Sequence, residues 1–204
     1  MDLSMQGALD RLSTLKESSA TKIEVYARRC YMDFTNPQVL NWWKTDKHDV
    51  NVARAITRPF YDLVHSCSIP TGLISAAAFD AKKRKVTPTK DHCFRPQFVY
   101  RYMLDNHETI QGFNEFRQWF VMCCSTILVT GEENDRLSSE GTKNHGGDYV
   151  LLSPTNLQYQ NADLSLYSYS DHRLWKDKVL TEESNLISPP QQLLQYETQY
   201  LCAS

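Results

Sequence analysis

The stretch Lys82-Lys83-Arg84-Lys85-Val86-Thr87-Pro88-Thr89-Lys90-Asp91-His92 divides the chain into two textures. Ahead of it, apolar residues recur mainly at helical spacing. The stretch itself opens on four consecutive cations and runs into β-branched residues, which read as a short extended segment closed by Asp91-His92. Behind it, apolar segments of helical and of strand character alternate. An α+β fold follows. A mostly helical portion over 1–80 packs on a compact core over 82–152, and 153–204 wraps that core as a C-terminal tail.

On the N-terminal side, Leu3, Leu9, Leu12 and Leu15 predict a first helix, and Ile23, Val25, Tyr26 and Cys30 a second from Lys22 to about Met32. Asn36-Pro37 has the chemistry of a helix start, with Asn as cap and Pro at the first helical position. The Trp42-Trp43 pair that follows could stack on nucleic-acid bases, but adjacent aromatics on a helix are more often core or a lid over it. A further helix fits Val50 to about Thr57, where Pro59 either interrupts it or opens the next turn. Ile69-Pro70-Thr71-Gly72 reads as a turn.

On the other side, Phe98 to Leu104 is apolar and aromatic at helical spacing. Phe113, Phe116, Trp119, Phe120 and Cys123 make the stripe of an amphipathic helix. Thr126 to Thr130 fits a buried strand. Thr130-Gly131-Glu132-Glu133 then matches the T-x-x-E capping box, so a helix carrying Asn134, Leu137 and Ser138 starts there. A strand fits Tyr149–Leu152, and a last short element Trp175–Leu180. Pro189-Pro190 breaks the tail.

Composition is that of a globular chain: 204 residues, 41% hydrophobic and 23% charged, which excludes a disordered chain, a collagen repeat and a coiled coil. No apolar run approaches the roughly 18 residues of a membrane span. Met1-Asp2-Leu3-Ser4-Met5-Gln6 lacks the basic start and apolar core of a secretory signal. A cytoplasmic protein with no membrane partner is therefore expected. Six cysteines without a C-x-x-C pair read as buried reduced thiols. Charge is unevenly spread: residues 1–90 hold 14 Lys and Arg against 9 Asp and Glu, and residues 91–204 hold 8 against 15. The run Lys82, Lys83, Arg84, Lys85, with Lys90 and Arg95 close behind, is a candidate polyanion contact. No G-x-S-x-G, H-E-x-x-H, Walker A or G-x-G-x-x-G occurs, so hydrolases, zinc proteases and nucleotide-binding proteins of those kinds lack their signatures.

A strand ending in Asp91-His92, Pro96 just after it, and a second strand leading into a capped helix with Asn134 together resemble the ββα-metal core of HNH endonucleases, in the form carried by phages. The resemblance covers residues 82–145. It implies a small ββα-metal-like core with an inserted helix and hydrolysis of DNA phosphodiester bonds with Mg²⁺ or Mn²⁺. His92 would be the general base, Asp91 and Asn134 the metal ligands. The chemistry needs such groups: an imidazole titrating near neutrality to activate water, and oxygen ligands that hold a hard cation loosely.

The family's middle Asn, which orients the base, is replaced here by Ser125, with Thr126 beside it; a backbone carbonyl could also hold the imidazole. The family's zinc-binding cysteines are absent. Within the same resemblance, Asn134 could instead be the middle residue and Asn144 or His145 the second ligand. Lys143 and His145 would otherwise touch the DNA backbone, together with Lys82, Lys83, Arg84, Lys85, Lys90 and Arg95. Asp91 and His92 adjoin on an extended segment and so point to opposite sides, unless the strand end twists. The other reading open to the sequence is a non-enzymatic nucleic-acid-binding or regulatory protein, carried by the basic run and the helical N-terminal portion.

Overall fold

Four helices precede the first strand in the computed structural model, which describes residues 2–143, 163–183 and 190–203. They are α1 (Met5–Ser13), α2 (Glu17–Phe34), α3 (Pro37–Asp46) and α4 (Val50–His65). Their starts follow the expected chemistry. Ser4, Asn36 and Asp49 each accept a backbone N–H of the first turn through the side chain, and Pro37 takes the first helical position. Pro59 neither ends nor interrupts α4, which runs through it to His65. An internal proline costs about 3 kcal/mol. Burial beside it offsets this: Phe60 is 1% exposed and stacks on Tyr100 with ring centroids 4.4 Å apart.

The α+β architecture is present, with more sheet than the sequence pattern shows. Five strands lie in the order β2-β3-β1-β4-β5. They are β1 (Ile69–Ser75), β2 (Thr89–His92), β3 (Ser125–Val129), β4 (Leu166–Tyr169) and β5 (Leu180–Glu182). The central strand is the segment read as a turn. β1 pairs parallel with β3 and antiparallel with β4, and its register to β3 shifts between Pro70 and Ile74. Gly72, at φ 82°, supplies the left-handed residue in that irregularity, and Pro70 lies exposed. The turn chemistry is thus that of a bulge inside a strand. The 1–80 portion therefore contributes the middle of the sheet. The stretch expected to wrap the core contributes β4, β5, a 3₁₀ turn (Trp175–Asp177) and the helix α9 (Gln191–Ala203). The strand expected at Tyr149–Leu152 lies outside the described residues.

Period-2 alternation separates the two faces of the sheet. Ile69, Leu73, Ile127, Val129 and Leu166 join the large core formed with α1, α2, α4, α6 (Pro96–Asp105), α7 (Gly112–Cys123) and α8 (Gly131–Lys143). Ile74 and Leu128, on the other face, pack with α5 (Ala76–Lys83), Tyr169, Trp175 and Leu180 in a second, smaller cluster. Between helices, Arg117 donates to both oxygens of Glu24, tying α7 to α2. Cys30, Cys67, Cys93, Cys123 and Cys124 are buried free thiols, as expected, and burial above all pushes Cys30 up to about 12. No helix among the described residues is long and apolar enough to cross a membrane.

Candidate nucleic-acid interface

Three elements expected to form a catalytic core are adjacent. β2 pairs antiparallel with β3, Asp91 opposite Ile127 and His92 opposite Thr126, and β3 runs directly into α8. The capping box is made as its sequence implies. Thr130 N–H donates to Glu133 Oε2 at 2.7 Å, and Glu133 N–H donates to Thr130 Oγ1 at 3.2 Å. Ser75, the cap of α5, also donates to Glu133 Oε2, at 2.6 Å, so one buried carboxylate joins the starts of the helices that follow β1 and β3. Asn134 sits half-buried in the first turn of α8. Leu137 of α8 belongs to the large core, as does Ile127, which faces the same side as Asp91. Asp91 and the helix bearing Asn134 therefore share one face of the sheet.

His92 does not join them. It remains in the strand, paired with Thr126, and its side chain lies on the opposite face with Lys90 and Leu128. It is 9% exposed, and its Nε2 is 3.1 Å from the carbonyl of Cys67, just past the end of α4. The carbonyl of Val64 faces the ring as well, and the His65 ring lies 5.2 Å away. Burial, opposed by these carbonyls and aided by His65, depresses the imidazole to about 4. His92 thus closes the C-terminal end of α4, where unsatisfied carbonyls seek a donor. The backbone carbonyl expected as one possible anchor of the ring is present, but the ring it holds is enclosed and turned away from Asp91.

Ser125 cannot orient that ring. It is fully buried on the Asp91 side, where it accepts from Arg11 Nη2 at 3.2 Å; Thr126 is the hydroxyl on the His92 side, bonded to Ser68 at 2.8 Å. Among the described residues, no group of three or more His, Cys, Asp or Glu side chains could hold a metal ion. Asp91 and Asn134 alone do not make the oxygen-rich cage of a Mg²⁺ or Mn²⁺ site. Asn144 and His145 lie outside the described residues, and Lys143 closes α8.

Comparison with protein-family profiles, with curated proteins and with solved structures gives no match to this chain.

The basic run is better placed. Lys82 and Lys83 end α5, and Arg84 caps it. Lys85 N–H donates to the Lys82 carbonyl at 3.0 Å, and Val86 N–H to the Ala81 carbonyl at 2.8 Å. This is the Schellman closure, with Lys85 at φ 63° where glycine is usual. The turn collects four cations at one helix end, favourably placed against the negative pole of the helix dipole. A second basic segment meets them. Lys82 Nζ lies 5.4 Å from the centre of the Trp175 ring, and Lys178 Nζ lies 5.0 Å from that ring and 4.8 Å from Tyr169. Lys83 Nζ sits 4.6 Å over Phe79. Lys90, exposed on β2, faces the same side of the sheet.

Among the described residues, no carboxylate pairs with Lys82, Lys83, Arg84, Lys85 or Lys90. Arg95 is not part of this face. Its Nη2 donates to the Leu137 carbonyl at 2.8 Å and ties the start of α6 to α8. The sequence pattern shows Lys82–Lys85 but gives no sign of Lys176 and Lys178, because only the folding of 166–182 back onto α5 brings the two segments together.

Proposed function

We propose that the protein binds nucleic acid through the sugar–phosphate backbone, using the face formed by the end of α5, Lys90 and the 173–178 segment. The observation that carries this reading is the meeting of two basic segments around Trp175, with five of their neighbouring cations free of carboxylate partners among the described residues. The exposed ammonium groups of Lys83, Lys85, Lys90 and Lys176 suit phosphates, which are contacted as point charges without reading the bases. Lys178, 8% exposed and donating to the Ser170 carbonyl, instead fixes Trp175 from below. Trp175 is engaged by lysines, by Phe79 at 5.9 Å and by Tyr169 at 4.9 Å, so it works as a rigid spacer beneath the cations and not as a stacking platform for bases. Binding is accordingly independent of sequence and steeply dependent on salt.

The test is fluorescence anisotropy on two unrelated duplexes over a salt series. It compares the native chain with the combined variant Lys82→Gln, Lys83→Gln, Arg84→Gln, Lys85→Gln. The log–log salt slope should fall by about 0.9 for each phosphate that the variant no longer neutralises, equally on both duplexes. An unchanged slope rejects the interface. Metal-dependent DNA hydrolysis is a second reading, favoured by one observation: Asp91 and the helix bearing Asn134 share a face behind an antiparallel strand pair. Supercoiled plasmid incubated with and without Mg²⁺ or Mn²⁺ separates the two. Nicking that requires the ion and is lost in Asp91→Ala supports hydrolysis, and intact plasmid under both conditions leaves binding alone.

A further inference from the structure

Away from the basic face, buried thiols gather where the ends of α4 and α7 meet α2. Cys67 lies in the link from α4 to β1, and Cys124 caps α7 just ahead of β3. Cys30 of α2 and Cys123 of α7 are close enough to bear on their charge. The backbone fixes the two linking segments against each other. Ile69 N–H donates to the Cys124 carbonyl at 2.8 Å, and Ile69 stands opposite Ser125 at the start of the parallel β1–β3 pair. The Cys67 carbonyl, for its part, holds His92 of β2. Within this frame the Cys124 thiol donates a hydrogen bond to the Cys67 sulfur. Two thiols in contact, on segments that the sheet holds in place, are the starting point of a disulfide, which forms only where the backbone lets the sulfurs approach.

The two thiols are not equivalent. The hydrogen bond from Cys124, opposed by burial and aided by the Lys22 ammonium, holds the Cys67 thiol below its ordinary range. Lys22 Nζ donates to the carbonyl of Ser66, next in the chain, at 2.7 Å. Burial above all, and the same thiol–thiol bond, push Cys124 well above that range. The thiolate is the reactive form, so Cys67 is oxidised first and Cys124 resolves it. We infer that Cys67 and Cys124 are a reversible redox pair, converted by a small hydroperoxide into a disulfide that staples the start of β1 to the start of β3. In the first step the Cys67 thiolate attacks a peroxide oxygen. An S–O bond forms, the O–O bond breaks, and the departing hydroxide takes a proton from solvent. In the second step the Cys124 sulfur attacks the sulfenic sulfur. The S–S bond forms, the S–O bond breaks, and hydroxide leaves with the Cys124 proton as water. The two sulfurs give up two electrons in all, and the peroxide accepts them. Both thiols being buried, the small size of the oxidant matters, and entry is by way of the 66–68 link, where Ser66 is exposed.

Hydrogen peroxide is the probe. The full, folded chain is treated with it over a concentration series, and mass spectrometry reads the intact protein and its peptides. A loss of about 2 Da is expected, located to a peptide pair that links Cys67 to Cys124 and regained with dithiothreitol. Cys124→Ser should leave Cys67 as a sulfenic acid that dimedone traps, whereas Cys67→Ser should abolish the mass loss and leave Cys124 unmodified. The oxidised chain should also unfold at a higher urea concentration than the reduced chain, since the bond constrains the unfolded state. Thiols that stay reduced in the folded chain, a disulfide joining any other pair, or oxidation that stops at Cys67 while Cys124 is present would each overturn the inference. A lower urea midpoint after oxidation would overturn the staple, because the bond would then strain the sheet that it is held to fasten. The linked peptides of the native chain decide the matter even if a variant fails to fold.

Discussion

Lowering the pH should destabilise this protein through one identifiable group. His92 titrates at about 4 in the folded chain, because burial disfavours its charged form, against an ordinary value near 6.5. The unfolded chain therefore takes up a proton that the folded chain refuses. Stability is complete above about pH 6.5, falls as the pH drops from there toward 4, and loses nothing more through this group below 4. Between pH 7.5 and pH 4.5 the two titration curves differ by about 2.5 kcal/mol, roughly a sixth to a half of the stability of an ordinary domain. Carboxylates titrate over part of the same range, so the measurement is a difference of differences. Urea unfolding followed by circular dichroism, at both pH values, compares the native chain with His92→Gln. The glutamine amide can still donate to the Cys67 carbonyl but carries no titrating group. The native chain should lose about 2.5 kcal/mol more than the variant over that interval. Equal losses would refute the reasoning, and so would a larger loss in the variant.

Three further outcomes follow from packing and backbone geometry, each read by thermal or urea unfolding. A Cβ on Gly7 would lie 2.6 Å from the Asp2 carbonyl oxygen, so Gly7→Ala should destabilise by about 2 kcal/mol through overpacking; an unchanged midpoint would mean that the N-terminal residues move aside freely. Lys85→Gly should stabilise by about 1 kcal/mol, since it relieves a left-handed lysine, while removing one cation from the basic face; a loss of stability would contradict the Schellman assignment. Glu133→Ala removes a buried carboxylate that accepts from Ser75 and from Thr130 N–H, and should cost about 3 kcal/mol; a cost below about 1 kcal/mol would show that water replaces it.

The parts of this fold that the sequence discloses are those set by local chemistry. Caps at Asn36 and Thr130, the aromatic stripe of α7 and the apolar run of β3 need only near neighbours to be recognised, and each stands where its pattern puts it. β1 is hidden because its Pro and Gly carry the signature of a turn, and only a partner strand distant in sequence makes them a bulge. β4 and β5 are short edge-side strands whose Tyr169 and Leu180 pack in the small cluster with α5, again a distant partner. The candidate site divides along the same line. The basic run is visible as a run. Asp91-His92 is visible as a dipeptide, but alternation sends the two side chains to opposite faces, and the end of α4, far back in the chain, claims the imidazole. The second half of the basic face needs tertiary structure to exist at all.

The central strand also bears on how the chain reaches its native state. β1 sits between β3 and β4, so Ile69 waits for Ser125 and Ile74 for Leu128 and Tyr167 before either edge of the strand is hydrogen-bonded. None of these partners is supplied by a hairpin, and closing such long loops precedes any gain from pairing. As the chain leaves the ribosome, α1–α4 can associate early, but β1 then trails behind them as an unpaired, apolar ribbon until most of the remaining sequence has been made. Folding should therefore be slow for a chain so rich in helix. The interval in which β1 stands open is when the protein is most exposed to aggregation and most in need of a chaperone.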